Sequence, residues 1–124
     1  MLLCSVHENK EIARREVAAQ IAFYTAPKAC TRMFVKSGIG AEAERIRTAF
    51  ADRDTEAMID AASDDMLDAI GVAGTTEQVR AGIARRARDF DHIALYSPSF
   101  TMIIERVRQN TLELVQVGAF EASA

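Results

Sequence analysis

The residues able to do chemistry in this 124-residue chain are few and scattered. Among His7, His92, Cys4 and Cys30 there is no CxxC pair, and Cys4 and His7 are the only two close in sequence. A structural zinc needs four convergent ligands, so no metal site is expected. Both thiols read instead as small buried hydrophobes of a reducing compartment. "SPS" at 97–99 follows an apolar run and opens a helical pattern. Its backbone N–H groups and the Ser99 hydroxyl, with Ser97 beside them, could hold a phosphate; a plain helix cap after a Pro turn is the competing reading. "GTTEQ" at 74–78 offers a similar pocket, but Glu77 competes with an anion there, and Thr75 and Gln78 have the spacing of a capping box. Asp64, Asp65 and Asp68 share one helix, which alone cannot wrap a divalent cation, so they read as a solvated face. With no GxGxxG, P-loop, nucleophile elbow or shielded carboxylate pair, no catalytic residue is assigned.

Composition bounds the partners. Apolar residues make up 49% and charged residues 27%, enough for one core of single-domain size, and residues 1–124 read as one unit. The net charge of −3 offers no Lys/Arg excess to attract nucleic acid or an anionic membrane. "MLLCSV" is too short for a signal-peptide core and no run could span a bilayer, so a cytoplasmic protein is expected.

The elements that must position these residues follow from periodicity. "LLCSV" at 2–6 is a continuous apolar run, suited to a parallel strand covered on both faces. Asn9 is a plausible cap for a helix carrying Ala13, Val17, Ile21 and Tyr24. After Pro27, Cys30, Met33, Phe34 and Ser37 form a stripe stopped at Gly38, which can take a left-handed conformation. Helices are expected over 41–51 and 54–69, the second capped by Asp54 and buried along Met58, Ile59, Ala62, Met66 and Ile70. "GVAG" at 71–74 reads as a helix break. The next helix buries Val79, Ile83, Ala87 and Phe90. "DHIALYS" supplies a second strand, His92 to Tyr96, and Ser99 caps a last helix through Val117. Ile83, Phe90, Ile93, Leu95 and Val107 are expected to be buried together. The total is two strands and five or six helices.

These residues resemble the C-terminal part of the bacterial-luciferase-like monooxygenase family. The matching pieces are the strand followed by "ARREVA", the "YTAP" break before a helix ending in Gly, and the acidic "DDMLD" helix. "AGTTEQV" opening a helix and "DHIAL" as a final strand complete the set. The resemblance implies a helix-rich α/β fold, the C-terminal portion of a (β/α)8 TIM barrel, whose seventh and eighth strands would be the two seen here, parallel and adjacent. A whole barrel takes about 250 residues, so six strands are expected to lie outside this sequence. The family often has Pro where Thr76 stands, and a Gly in the turn that here reads "RDFD".

The resemblance further implies an FMN or deazaflavin coenzyme, a small-molecule substrate, and hydride transfer or oxygen insertion. Barrel enzymes place chemistry beyond the C-terminal strand ends. His7, following the first strand, is therefore a cofactor-binding candidate with Ser97 and Ser99, whereas His92 falls on the opposite face. The expected protein is a truncated flavin- or deazaflavin-dependent oxidoreductase, inactive as this chain alone. A non-catalytic helical oligomerisation or interaction module is the alternative. Two open strand edges predict a homodimer.

Overall fold

Leu2–Val6 (β1) is buried at every position, as an apolar run with strands on both sides must be. The computed structural model of the chain describes residues 2–27, 36 and 38–123, with 118–123 by backbone alone. The stripe of Cys30, Met33, Phe34 and Ser37 lies outside the described residues. Gly38 takes the left-handed conformation expected of it, at φ +81°.

Three parallel strands form one sheet in the order β2-β1-β3, where β2 is Gly71–Gly74 and β3 is Leu95–Tyr96. The helices described are α1 (Lys10–Thr25), α2 (Gly40–Ala51), α3 (Thr55–Ala61), α4 (Asp64–Ile70), α5 (Thr76–Ala87) and α6 (Ile104–Ser123). β1 and β3 are parallel neighbours as expected, with Leu2 opposite Leu95. The expected count of two strands is corrected to three. "GVAG" is not only a break: it pairs with β1 from Leu3↔Gly71 to Val6↔Gly74. Glycine and alanine weaken a strand on propensity, which hid it. The small residue that the packing needs is on the facing helix, because a Cβ on Gly82 of α5 would lie 2.6 Å from Val72 Cγ1 of β2.

Contacts divide the chain into two compact units, 1–17 with 70–124, and 18–69, the boundary passing through α1. In the first unit, side chains alternate across β1. Leu2, Cys4 and Val6 join Val79 and Ile83 of α5 and Leu114 and Val117 of α6 in one core, with Val72, Ile93 and Leu95 packed at its margin. Each fully buried Leu, Ile or Val contributes roughly 1.5–3 kcal/mol. Ser5 points the other way, toward the first turns of α1. The expectation for Phe90 is corrected: it is 65% exposed, because α5 ends at Ala87 and the chain turns at Arg88 and Asp89 before Phe90 can return to the stripe. Val107 is half-buried and outside that core.

In the second unit, α2 buries Ala43, Ile46 and Ala49, and packs against α3, which buries Met58 and Ile59. Arg53, at φ +57°, turns the chain between them, and Asp54 caps α3 by accepting from the Ala57 N–H at 3.1 Å. The expected single helix over 54–69 is two. Ala62 is extended, and the Ser63 hydroxyl accepts from the Met66 N–H to begin α4, a local cap that competes with helix continuation. The last helix begins at Ile104 rather than after Ser99. The Met102 N–H donates to the Ser99 carbonyl and Thr101 sits at φ +66°, so 99–102 form a turn. No helix among the described residues is long and apolar enough to cross a membrane.

Candidate functional site

Parallel strands deliver their following loops to one end of a sheet, and there the first unit has a cavity of about 670 Å³. Val6, His7 and Glu8 enter it from the end of β1, and Thr75, Thr76 and Glu77 from the end of β2; α6 adds Arg106, Gln109 and Glu113. Sequence position explains each group. The His7 N–H completes the ladder to the Gly74 carbonyl at 2.9 Å, so His7 leaves the sheet at a fixed point. Its Nδ1 accepts from the Asn9 N–H at 2.9 Å, which places the proton of neutral imidazole on Nε2. Asn9 in turn accepts from the Glu11 N–H through its side chain, capping α1 as expected.

The loop after β2 is held by the expected capping box: the Thr75 N–H donates to Gln78 Oε1 at 2.9 Å and the Gln78 N–H to Thr75 Oγ1 at 3.4 Å. Gly74, at φ +151°, permits it, since a Cβ there would run into the Gln78 side chain. Gly74→Ala is therefore expected to open the box and cost about 1–3 kcal/mol in urea denaturation, through strain and a lost cap. A loss within error of zero would mean that the Gln78 side chain moves aside freely.

Arg106 closes the wall. Its guanidinium donates to both Glu16 carboxylate oxygens, at 2.9 and 2.8 Å, to the Val6 carbonyl at 2.7 Å and to Ser5 Oγ at 3.2 Å. Ser5 Oγ–H donates to Glu16 Oε1 at 2.6 Å. One turn further along α6, fully buried Asn110 accepts from the Val6 N–H at 2.8 Å and donates to the Cys4 carbonyl at 2.9 Å and to Ser97 Oγ at 2.8 Å. Two polar side chains thus pin α6 to the C-terminal end of β1.

Of the candidates read from sequence, His7 lines the cavity and Ser97 and Ser99 do not. Ser97 is held between Asn110 and the Pro98 carbonyl, and Ser99 is exposed in the turn before α6. His92 is exposed ahead of β3, at the other end of the sheet from His7, and Asp64, Asp65 and Asp68 are exposed on α4. Arg106, Asn110 and Glu16 were missed. Their signal was a polar residue inside an apolar pattern: Ser5 within "LLCSV", and Asn110 four residues before Leu114 on the stripe that α6 buries.

Cys4 is no nucleophile. Burial pushes its thiol from 9.0 up to about 12, with Arg86 opposing weakly, and its Sγ lies 3.5 Å from the Leu2 carbonyl. The folded chain holds this proton after the unfolded chain has lost it. The contribution of this thiol to stability is therefore complete below about pH 9 and is lost as pH rises toward 12. Iodoacetamide at pH 8 is expected to leave Cys4 unmodified in the native protein and to label it in urea, as read by peptide mass mapping; rapid native labelling would contradict the burial.

The profile of the luciferase-like monooxygenase family matches residues 1–92. The chain belongs to that family. No curated protein and no solved structure matches it. The matched stretch of this luciferase-like chain carries β1, β2 and the two loops that enter the cavity, along with Glu16; Arg106, Asn110 and the rest of α6 lie beyond it. A flavin coenzyme would bring a phosphate. The cavity does not fit one, because Glu8, Glu77 and Glu113 surround it, and Arg106 already faces Glu16 in a bidentate pair.

Proposed function

We propose that this luciferase-like chain is the C-terminal part of a flavin- or deazaflavin-dependent oxidoreductase, holding the uncharged, hydrogen-bonding portion of its coenzyme (FMN or a deazaflavin) or of a small-molecule substrate. The observation that carries this reading is the position of the cavity, beyond the C-terminal ends of two parallel strands in a chain of this family. His7 Nε2–H, the Thr76 hydroxyl and the Gln109 amide are the donors it offers to carbonyl and ring-nitrogen acceptors. The three carboxylates leave the phosphate to be bound by chain outside the described residues. Redox chemistry belongs to the coenzyme, and the part of these residues is to bind, orient and exclude water. Ser97 belongs to this reading only as a support, through Asn110.

Quenching of flavin fluorescence tests it. Riboflavin and FMN are expected to bind the full chain equally, within about twofold, and His7→Ala to weaken both. No quenching by either, or a strong preference for FMN, overturns the reading. A homodimer forms part of the same proposal, since the outer edges of β2 and β3 have no strand neighbour among the described residues. Sedimentation at micromolar concentration checks it, and a clean monomer ends it.

A further inference from the structure

β3 stops at Tyr96, which pairs with Leu3, so the end of β1 has no strand on that side. The backbone groups of Leu2, Cys4 and Val6 face it, as the Leu2 N–H does in donating to the Ala94 carbonyl. Side chains of α6 take the place of the missing ladder. Asn110 accepts from the Val6 N–H at 2.8 Å and donates to the Cys4 carbonyl at 2.9 Å. Arg106 Nη2 donates to the Val6 carbonyl at 2.7 Å.

That last bond bears on His7. The Val6 carbonyl and the His7 N–H belong to one planar peptide unit, and the unit is held from both sides. Arg106 holds its oxygen, while its N–H donates to the Gly74 carbonyl of β2 at 2.9 Å. From this fixed plane the His7 ring meets the Asn9 N–H, which donates to Nδ1 at 2.9 Å, and Nε2–H is left for the cavity that His7 lines. Arg106 is itself aimed. Its Nε and Nη2 donate to the two Glu16 oxygens at 2.9 and 2.8 Å, and Nη2 also reaches Ser5 Oγ at 3.2 Å, so the guanidinium is not free to swing.

We propose that Arg106 is a positioning residue for the cavity. By holding the Val6 carbonyl it orients the peptide that carries His7, and it thereby fixes the imidazole as a one-sided hydrogen-bond donor, with Nδ1 committed to Asn9. The ligand atom that meets His7 must then be an acceptor, because a ligand N–H or O–H finds no free lone pair on this ring. Specificity at this point is set from α6, beyond the stretch 1–92 that matches the family profile. The proposal rests on the reading of the cavity as a binding site only for what the donor meets; the position of the ring is a property of the chain by itself.

Heteronuclear NMR on the full, ligand-free chain separates positioning from stability, at about pH 8.5, above the ordinary histidine range. The nitrogen–nitrogen coupling across the bond from the Asn9 N–H to His7 Nδ1 reports that contact directly, and carbon relaxation in the ring reports its order. The double variant Arg106→Met with Glu16→Leu removes the donor without stranding a buried carboxylate, so it is expected to stay folded. In it the coupling is expected to fall by about half or more, since a hydrogen bond weakens steeply as its geometry opens. The His7 ring is expected to approach the mobility of exposed His92. Arg106→Lys keeps a cation able to donate to the same carbonyl and is expected to keep most of both signals. Flavin quenching judges the cavity reading separately: a wild-type chain that binds no flavin ends that reading and leaves the ring measurement standing. The proposal is overturned by a wild-type chain without the coupling, by a folded double variant whose coupling and ring order match wild type, or by Arg106→Lys that loses both as fully as the double variant.

Discussion

Arg106→Ala is expected to lower the stability of the chain by about 3–5 kcal/mol. The Arg106 and Glu16 side chains are only 14% and 12% exposed, so removing the cation leaves a carboxylate with little water to replace it. The Val6 carbonyl and Ser5 Oγ lose the same donor, and both belong to the fully buried central strand. The double variant Arg106→Met with Glu16→Leu is expected to recover most of the loss, because burying neither charge removes the desolvation cost along with the attraction. Urea midpoints at unchanged slope measure both effects. A single-variant loss below about 1 kcal/mol would place the pair among solvent-screened surface bridges.

Asn110→Ala is expected to cost about 2–6 kcal/mol, by a different mechanism. No charge is involved; the Val6 N–H and the Cys4 carbonyl, both buried, are left without partners, and each unsatisfied group costs about 1–3 kcal/mol. Asn110→Asp sharpens the test. It keeps an acceptor for Val6 but sets a carboxylate oxygen against the Cys4 carbonyl and the Ser97 hydroxyl, so it is expected to be at least as damaging as alanine. Amide hydrogen exchange locates the effect: protection at Val6 should fall furthest. If both variants were as stable as wild type, α6 would be held by Leu114 and Val117 alone. Because both side chains act on Val6, combining Arg106→Ala with Asn110→Ala is not expected to be additive.

How much of this was legible depended on the range of the interaction. β1 was readable from its continuous apolar run, and the capping box from Thr75 and Gln78, because each signal lies within a few residues. His7 was placed at the cavity by the rule that loops follow strand ends. β2 was not readable: four small residues look like a break until β1 supplies a ladder from far away in the chain. The misplaced Phe90 shows the converse, a helical stripe carried three residues beyond the point where the helix stops. The pinning network was least visible of all. Arg106 and Asn110 find their partners across most of the chain, and only their polarity within apolar stripes marked them. The pairing of Ser97 with Asn110 is likewise a contact between two elements that no local pattern encodes.

The order of the sheet also has a consequence in time. β1 is central, yet its partners lie about 70 and about 90 residues along the chain, and closing loops of that length must precede any ladder bond. α1 and α5, with their local caps, can gain helical structure before a single strand pair exists. The sheet is then the late event, and until it forms "LLCSV" is an unshielded apolar strand with both edges bare. Refolding at rising concentration should lose yield before native stability changes at all, and lose it through this segment. In this chain, the most protected strand of the finished fold is the most vulnerable one on the way there.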